Sequence, residues 1–581
     1  MAGLDKEFDY LIPAEMAGMM ALGTEVRVPL HGRRVGGWVV ARPDAPAAGV
    51  TLRPLAKRRG IGPAPDLVDL AEWAAWRWAG KRSWFLKTAS APRAVPRLAG
   101  PEPADRLGSG PGAPADGRRP RPPARPPRSP IDLPAATGLQ VLRLAPAVDP
   151  TPVVAEAAQL GPILVVVPTA ARAAVLAARL RRAGGDVALL PDDWAQARAG
   201  RAAVVIGSMA AAWGPCPGLA AAVVVDAHDE TLVAEGAPTW GAVALLAERV
   251  RRAGAPLYAL TPCPPPELVA AGPVHVVEPG AERAGWAPVE IVDRRGDDPR
   301  LGLWSERLVQ LVRAARPGRR VALVLNRAGR VRILACAACG DLARCEKCHA
   351  AVSSPEPGRL HCDHCGLDRP GVCARCGSTR LKALRLGVTR AREELETLAG
   401  RPVGEVTASS TVLADDEVVI GTEAVLRRFD PASGLGAIAF VDFDQELLAP
   451  RLRATDEALG LLALASRLVR GRAGRIVVQT RLPEHPALIA ASTGDPARAT
   501  EGQEELRRAL WMPPFAAVAQ VHGAAAAEWV ARLAGVEVLG PDPSGRWMVK
   551  AGDAATLCDA LAAVPRPLTG TLRVAVEPGR L

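Results

Sequence analysis

Apolar residues along this chain recur at two spacings, and the switch between them sets out its organisation. Residues 8–13, 26–29 and 36–40 are short runs with strand character, the last two joined by the basic turn His31-Gly32-Arg33-Arg34. At 66–78 the period becomes helical, with Leu67, Leu70, Ala71, Ala74 and Trp78 on one face. Between 136 and 285, buried-strand runs at 163–167, 204–206, 220–225 and 257–260 alternate with helical segments such as 169–183 and 243–252. Such alternation predicts a parallel sheet with helices on both faces.

The same rhythm returns from 286 to 510. Helices are predicted at 303–315, 390–398 and 456–470, and strands at 321–325, 418–420, 437–441 and 476–479. A cysteine-rich block at 336–376 interrupts this second α/β lobe after the first of those strands. Residues 511–581 mix strands near 518–522, 547–549 and 572–576 with helices near 524–533 and 554–563, a small α+β domain. The expected division is a β-rich leading domain at 1–100, a linker at 101–135, α/β lobes at 136–285 and 286–510, and the last domain at 511–581. Residues 101–130 hold 10 Pro, 4 Gly and 6 Arg with almost nothing apolar, so an extended, mobile spacer is predicted there.

At 581 residues and 49% apolar composition the chain can build several cores. No apolar run approaches the roughly 20 residues of a membrane span, and Asp5, Lys6, Glu7 and Asp9 argue against a signal peptide. A cytoplasmic, reducing setting and no membrane partner are expected. The formal charge of +11 suits a polyanionic partner. Only 7 of the basic residues are lysines against 65 arginines, a bias that GC-rich coding explains equally well. Trp73, Trp76, Trp78 and Trp84, beside Lys81 and Arg82, are candidates for base stacking, but packing of a small core is the simpler assignment.

Eight of the eleven cysteines fall within 41 residues as four Cys-x-x-Cys pairs: Cys336/Cys339, Cys345/Cys348, Cys362/Cys365 and Cys373/Cys376. Two intervening residues let both thiolates of a pair face one tetrahedral ion, so four pairs describe two closed zinc sites. Spacing alone leaves their pairing open. A disulfide cluster needs an oxidising compartment, and an iron–sulfur cluster fits four tidy knuckles less naturally. Cys216, Cys263 and Cys558 stand apart and are expected to be ordinary buried thiols.

With this block set in the second of two α/β lobes behind a basic leading domain, the chain resembles the PriA family, primosomal proteins that restart stalled replication forks. The resemblance covers nearly the whole length. Phe8-Asp9-Tyr10-Leu11-Ile12-Pro13 is similar to the family's opening motif, and Val26-Arg27-Val28-Pro29 to its next strand. Leu325-Asn326-Arg327 also looks familiar, although Ala328 and Arg330 depart from the family's Arg and Tyr. Further matches are Leu360-His361-Cys362-Asp363-His364-Cys365-Gly366, Gly421-Thr422, Gln479-Thr480, Glu484-His485-Pro486 and Pro513-Pro514-Phe515. The resemblance implies two RecA-like helicase lobes with a zinc-binding insertion in the second. It implies a nested pairing, one zinc on Cys336, Cys339, Cys373 and Cys376 and the other on Cys345, Cys348, Cys362 and Cys365. It also implies a leading domain that captures a DNA 3′ end, with Arg33 and Arg34 as candidate phosphate contacts, their alternative being a solvated turn.

A motor of that family needs a phosphate loop, Gly-x-x-x-x-Gly-Lys-Ser/Thr, whose amides and lysine hold the triphosphate. In the expected place, before Ile163, stands Leu144-Ala145-Pro146-Ala147-Val148-Asp149-Pro150-Thr151, with no glycine, no lysine and two prolines that lack donor amides. After the strand at 220–225 comes Asp226-Ala227-His228-Asp229-Glu230, where the family has Asp-Glu-Glu-His; Asp226 survives, and Ala227 replaces the catalytic glutamate. Gly471-Arg472-Ala473-Gly474-Arg475 spells the family's arginine signature but runs straight into the next strand. Aligned backwards from that strand, Arg467 and Arg470 take the two arginine slots.

No catalytic residues and no intact ATP site are therefore expected, which leaves only ATP binding without hydrolysis open. The expected function is recognition of stalled or branched fork DNA and help in reloading the replicative helicase, with other primosome and helicase-loading proteins as partners. The alternatives are an active 3′–5′ helicase with a non-standard nucleotide site, and a zinc-ribbon interaction protein without a DNA role.

Overall fold

Strand Ile163–Val166 is buried at every position because strands flank it on both edges and helices cover both faces. It lies in a seven-stranded sheet ordered Val274–Val276, Gly138–Arg143, Pro256–Thr261, Ala221–Val225, Ile163–Val166, Val204–Gly207, Val187–Leu189. Every pairing in it is parallel. The computed structural model describes residues 6–43, 52–98, 120–125, 129–297, 302–325, 334–347, 351–354, 356, 358–362, 365–383, 388–407, 410, 415–567 and 569–579. Strands Gly138–Arg143, Val187–Leu189 and Val274–Val276 escaped the sequence reading, the last two being three-residue edge strands.

A second parallel sheet has the order Val289–Asp293, Arg475–Thr480, Leu435–Phe440, Arg320–Val324, Val418–Gly421, Gly404–Val406. Val289–Asp293 precedes Arg320–Val324 in the chain, so the cysteine block follows the second strand of this lobe, not the first as expected. Its first helix is Glu306–Arg313, shorter than the predicted 303–315. Ser305 caps its amino end by accepting the Leu308 amide at 3.2 Å. The last domain is an antiparallel sheet ordered Glu537–Leu539, Trp547–Ala551, Ala517–His522, Arg573–Val576, with helix Ala554–Ala563 against it.

In the leading domain, strands Glu25–Leu30 and Arg33–Trp38 pair antiparallel around His31-Gly32, both at positive φ. Arg33 and Arg34 thus begin a strand and do not lie in the turn. Of the predicted strand at 8–13, only Tyr10–Leu11 pairs, alongside Arg53–Pro54. Helices Pro65–Arg77 and Arg82–Ala89 share one apolar core with the seven-stranded sheet and the last domain. The indoles account for much of it. Trp73, Trp78, Phe85, Trp213 and Trp240 form a chain of ring contacts 5.3–6.1 Å apart, and Trp84 joins at Phe85. Trp76 donates to Asp559 at 2.9 Å. These side chains are packing residues, not a free stacking surface.

Residues 101–119 and 126–128 lie outside the described residues, but 120–125 are not the mobile spacer expected. Arg121 O accepts from the Asp186 amide, the Arg121 amide donates to the Asp186 carboxylate, and Pro123 O accepts from Gln159. Ile131 and Leu133 pack on the first lobe. Among the described residues, no helix is long and apolar enough to cross a membrane.

Candidate nucleotide cleft and cysteine clusters

Loop 144–150 joins strand Gly138–Arg143 to helix Thr151–Ala157, the strand-to-helix turn at which a phosphate loop would sit. Three of its amides are already used, that of Leu144 by Thr261 O at 3.1 Å. Ala147 N–H donates to Gly285 O at 3.2 Å, and Val148 N–H to Ala145 O at 3.0 Å. The Asp149 carboxylate accepts from the Thr151 amide at 3.0 Å and its hydroxyl at 2.6 Å, and pairs with Arg179 at 3.0 Å. A negative side chain thus occupies the helix start where a phosphate would approach, and repels one.

Opposite this loop, the Asp226 carboxylate is also committed. Asp226 ends strand Ala221–Val225 at φ +55° and is buried. Arg467, carried across from the second lobe by helix Ala454–Leu468, grips both its oxygens at 2.5 and 2.7 Å. The same guanidinium donates to Pro146 O at 2.9 Å. Arg172 completes the cluster by donating to Asp226. Burial alone would raise the Asp226 carboxyl, but the two guanidiniums outweigh it and hold it well below the usual range. Arg467 therefore spans the space between carboxylate and loop that a nucleotide would need.

The remaining acids of the segment are engaged in the same way. Asp229 receives two hydrogen bonds from Arg427 of the second lobe, at 2.8 and 3.1 Å, and Glu230 stands 4.0 Å from that guanidinium. Ala227 supplies only a methyl group where a base would be required. His228 lies against Gly460, where a Cβ would meet its ring at 3.1 Å. Burial keeps the imidazole neutral, and its Nδ1 lies 3.0 Å from the Thr261 hydroxyl. Further along the seam Glu267 pairs with Arg453 at 3.1 Å and Arg507 at 3.0 Å, and Arg507 reaches Asp456 at 2.9 Å.

Of the two arginines aligned on the signature, only Arg467 enters the cleft. Arg470 is exposed at φ +59° in the turn beyond the helix. Arg172, Arg427 and the inward use of Asp149 were not anticipated; they come from segments distant in sequence, and no spacing marks them.

The cysteine block builds two clusters. The sulfurs of Cys336, Cys339, Cys373 and Cys376 lie within 4.8 Å of one another, and so do those of Cys345, Cys362 and Cys365; Cys348 lies outside the described residues. Separations are 3.5 Å for Cys336–Cys376, 3.6 Å for Cys339–Cys373 and 3.4 Å for Cys345–Cys365. Four sulfurs at the zinc–sulfur distance of about 2.3 Å define a tetrahedron with edges of about 3.8 Å, so the donor set fits a closed metal site. Gly340, Gly366 and Gly377 turn the knuckles at positive φ, each donating its amide to the carbonyl of the first cysteine of its pair. Ala335, Leu342 and Ala351 dock this module against Leu448 and Leu482 of the second lobe. Arg33 and Arg34 are exposed, with no side-chain partner among the described residues.

Residues 1–90 match the family described as the PriA 3′DNA-binding domain (3′BD). The chain is 30% identical to the probable replication restart protein PriA of Mycobacterium tuberculosis, covering 90% of this chain and 85% of that protein. The Mycobacterium leprae protein of the same name is 30% identical over 90% and 86%. The replication restart protein PriA of Haemophilus influenzae is 26% identical over 60% of this chain and about half, 53%, of its own length. Similarity to solved structures is weak. S. cerevisiae Dbp5 bound to RNA and ADP BeF3 gives a TM-score of 0.35 at 10% identity, over 64% of this chain and 89% of that one. Mycobacterium smegmatis helicase Lhr bound to ssDNA and AMP-PNP gives 0.34 at 15%, over 62% and 46%.

Proposed function

The chain belongs to the PriA replication restart family, and from that premise we propose that it binds stalled or branched fork DNA and helps reload the replicative helicase without a working motor. The observation that carries this reading is the Arg467 guanidinium, which bridges Asp226 and Pro146 in the space where magnesium and triphosphate would sit. With the phosphate cradle and the catalytic glutamate both replaced, turnover is lost, since one such group alone commonly contributes factors of hundreds to thousands.

In this reading the leading domain, residues 1–100, recognises DNA, and Arg33 and Arg34 contribute phosphate contacts. The lobes at 136–285 and 286–510 serve as a rigid saddle, and residues 511–581 brace them. Two zinc ions fold the module, one on Cys336, Cys339, Cys373 and Cys376 and one on Cys345, Cys348, Cys362 and Cys365. The sulfur geometry supports the first set fully and three members of the second. The module presents a surface to other primosome and helicase-loading proteins, and the work is done in the cytoplasm.

The test is a fork-binding titration run beside an ATPase measurement on one preparation. Fork binding with no DNA-stimulated hydrolysis above that of Asp226→Ala is the expected result. Magnesium-dependent hydrolysis abolished by that substitution would overturn the loss of the motor. Zinc-replete protein that ignores forks at modest salt would overturn the DNA role.

A further inference from the structure

Gly471-Arg472-Ala473-Gly474-Arg475 is left without a task by the cleft. Gly471 comes near the first lobe, where a Cβ would lie 2.9 Å from Ala284 O and 3.2 Å from the Cβ of Ala147. Arg472 and Arg475 instead line an open recess of about 320 Å³, with Arg319, Ala473, Gly474 and the segment Pro288-Val289-Glu290. Arg475 starts strand Arg475–Thr480, Val289 starts Val289–Asp293, and Arg319 directly precedes Arg320–Val324. The recess thus lies at the amino ends of the second sheet, whereas α/β folds take nucleotides at the carboxyl ends.

Two glycines bring its arginines together. A Cβ on Gly436 would lie 3.2 Å from Arg319 Cα, and one on Gly474 would lie 2.8 Å from Gly436 O and 2.6 Å from Val469 Cβ. Any side chain at these positions would push apart the segments carrying Arg319 and Arg475. The charge that results is not balanced. Glu290, the single acid of the lining, is bound by Arg307 at 2.7 Å. Other arginines nearby are spent: Arg320 donates to Asp416 O at 3.0 Å and Arg313 to Leu398 O at 2.8 Å. Arg319, Arg472 and Arg475 are exposed, and none has a side-chain hydrogen bond or ion pair among the described residues. Three guanidiniums without a hydrogen-bonded partner around one opening attract phosphate, and the wall has no aromatic ring on which a base could stack.

We propose that this recess grips the sugar–phosphate backbone of DNA, a second contact on the second lobe that reads no sequence. The proposal rests on DNA being the partner assigned above. It is tested on the full chain with labelled forked DNA, by anisotropy between 50 and 200 mM salt. Against wild type, R319E/R472E/R475E is expected to weaken binding by about tenfold or more and to flatten the slope of log K against log[salt] by up to about three. The charge-matched control R182E/R252E/R532E keeps the wild-type slope. On wild-type protein, DNA is expected to shield Arg319, Arg472 and Arg475, but not Arg182, from phenylglyoxal, a readout that does not depend on any variant folding. Tight wild-type binding with no shielding and an unchanged triple variant would overturn the recess and leave the restart reading standing. Shielding by inorganic pyrophosphate but not by DNA would assign it to a small phosphorylated compound and overturn the proposal. Wild-type protein that binds no fork at 50 mM salt would overturn both.

Discussion

Arg467 is the side chain on which the relation between the two lobes turns. It is held by Asp226 and Pro146, and Asp226 has little else beyond Arg172 to neutralise it. Arg467→Ala leaves a buried carboxylate short of a partner, a change that costs about 3–5 kcal/mol in comparable sites and reads out as a lower denaturant midpoint. The pH response follows from the depressed Asp226 carboxyl. Its contribution is fully present above the unfolded-chain value of 3.8 and is lost as pH falls below it toward the folded value. Stability should therefore show no loss from this group between pH 8 and 5 and an acid decline below about pH 4 that Asp226→Asn shallows. Asp226, Ala227 and the missing lysine were legible in the sequence because a motor needs fixed residue types at fixed offsets. Arg172 and Arg427 were not, since an arginine on a helix carries no sign of which carboxylate it will meet 54 or 198 residues away.

Among the elements, the cysteine module has only a small core, led by Leu334, Ala343, Val352 and Leu360, so the zinc proposed there would supply most of its stability. Cys362→Ser is expected to lower zinc content from two ions per chain to about one, measured by mass spectrometry. It should unsettle the Leu448 docking surface more than fork affinity. Equal zinc in variant and wild type would contradict the assignment of the second site. The four knuckles were readable because metal chemistry dictates spacing. Long helices such as Ala170–Arg182 and Ala554–Ala563 were readable from their apolar period. Val187–Leu189, Val274–Val276 and Gly404–Val406 were missed because three residues give no period to detect, and their neighbours decide the pairing.

At the scale of the molecule, the sequence divides into units that the structure joins. Helix Pro65–Arg77, the seven-stranded sheet and the last domain share one core, and Thr239 hydroxyl donates to Val576 O across it at 2.7 Å. Calorimetry should accordingly give one transition for the leading domain, first lobe and last domain. A separate low-temperature transition for residues 511–581 would show that the shared core is not cooperative. Punctuation by Pro and Gly marks where a chain turns, but says nothing of which units then pack together. Trp213 illustrates this, since its ring partner Phe85 lies in the preceding domain.

The seam where Trp76 meets Asp559 and Arg77 meets Glu577 has a consequence during synthesis. A ribosome adding roughly 5–20 residues per second takes about half a minute to a minute and a half to pass from one side of that seam to the other. Throughout that interval the helix near residue 77 waits with its face uncovered, open to chaperones and proteases. Copies abandoned partway never cover it, so the quality-control machinery can tell an aborted chain from a finished one by a surface made near its beginning.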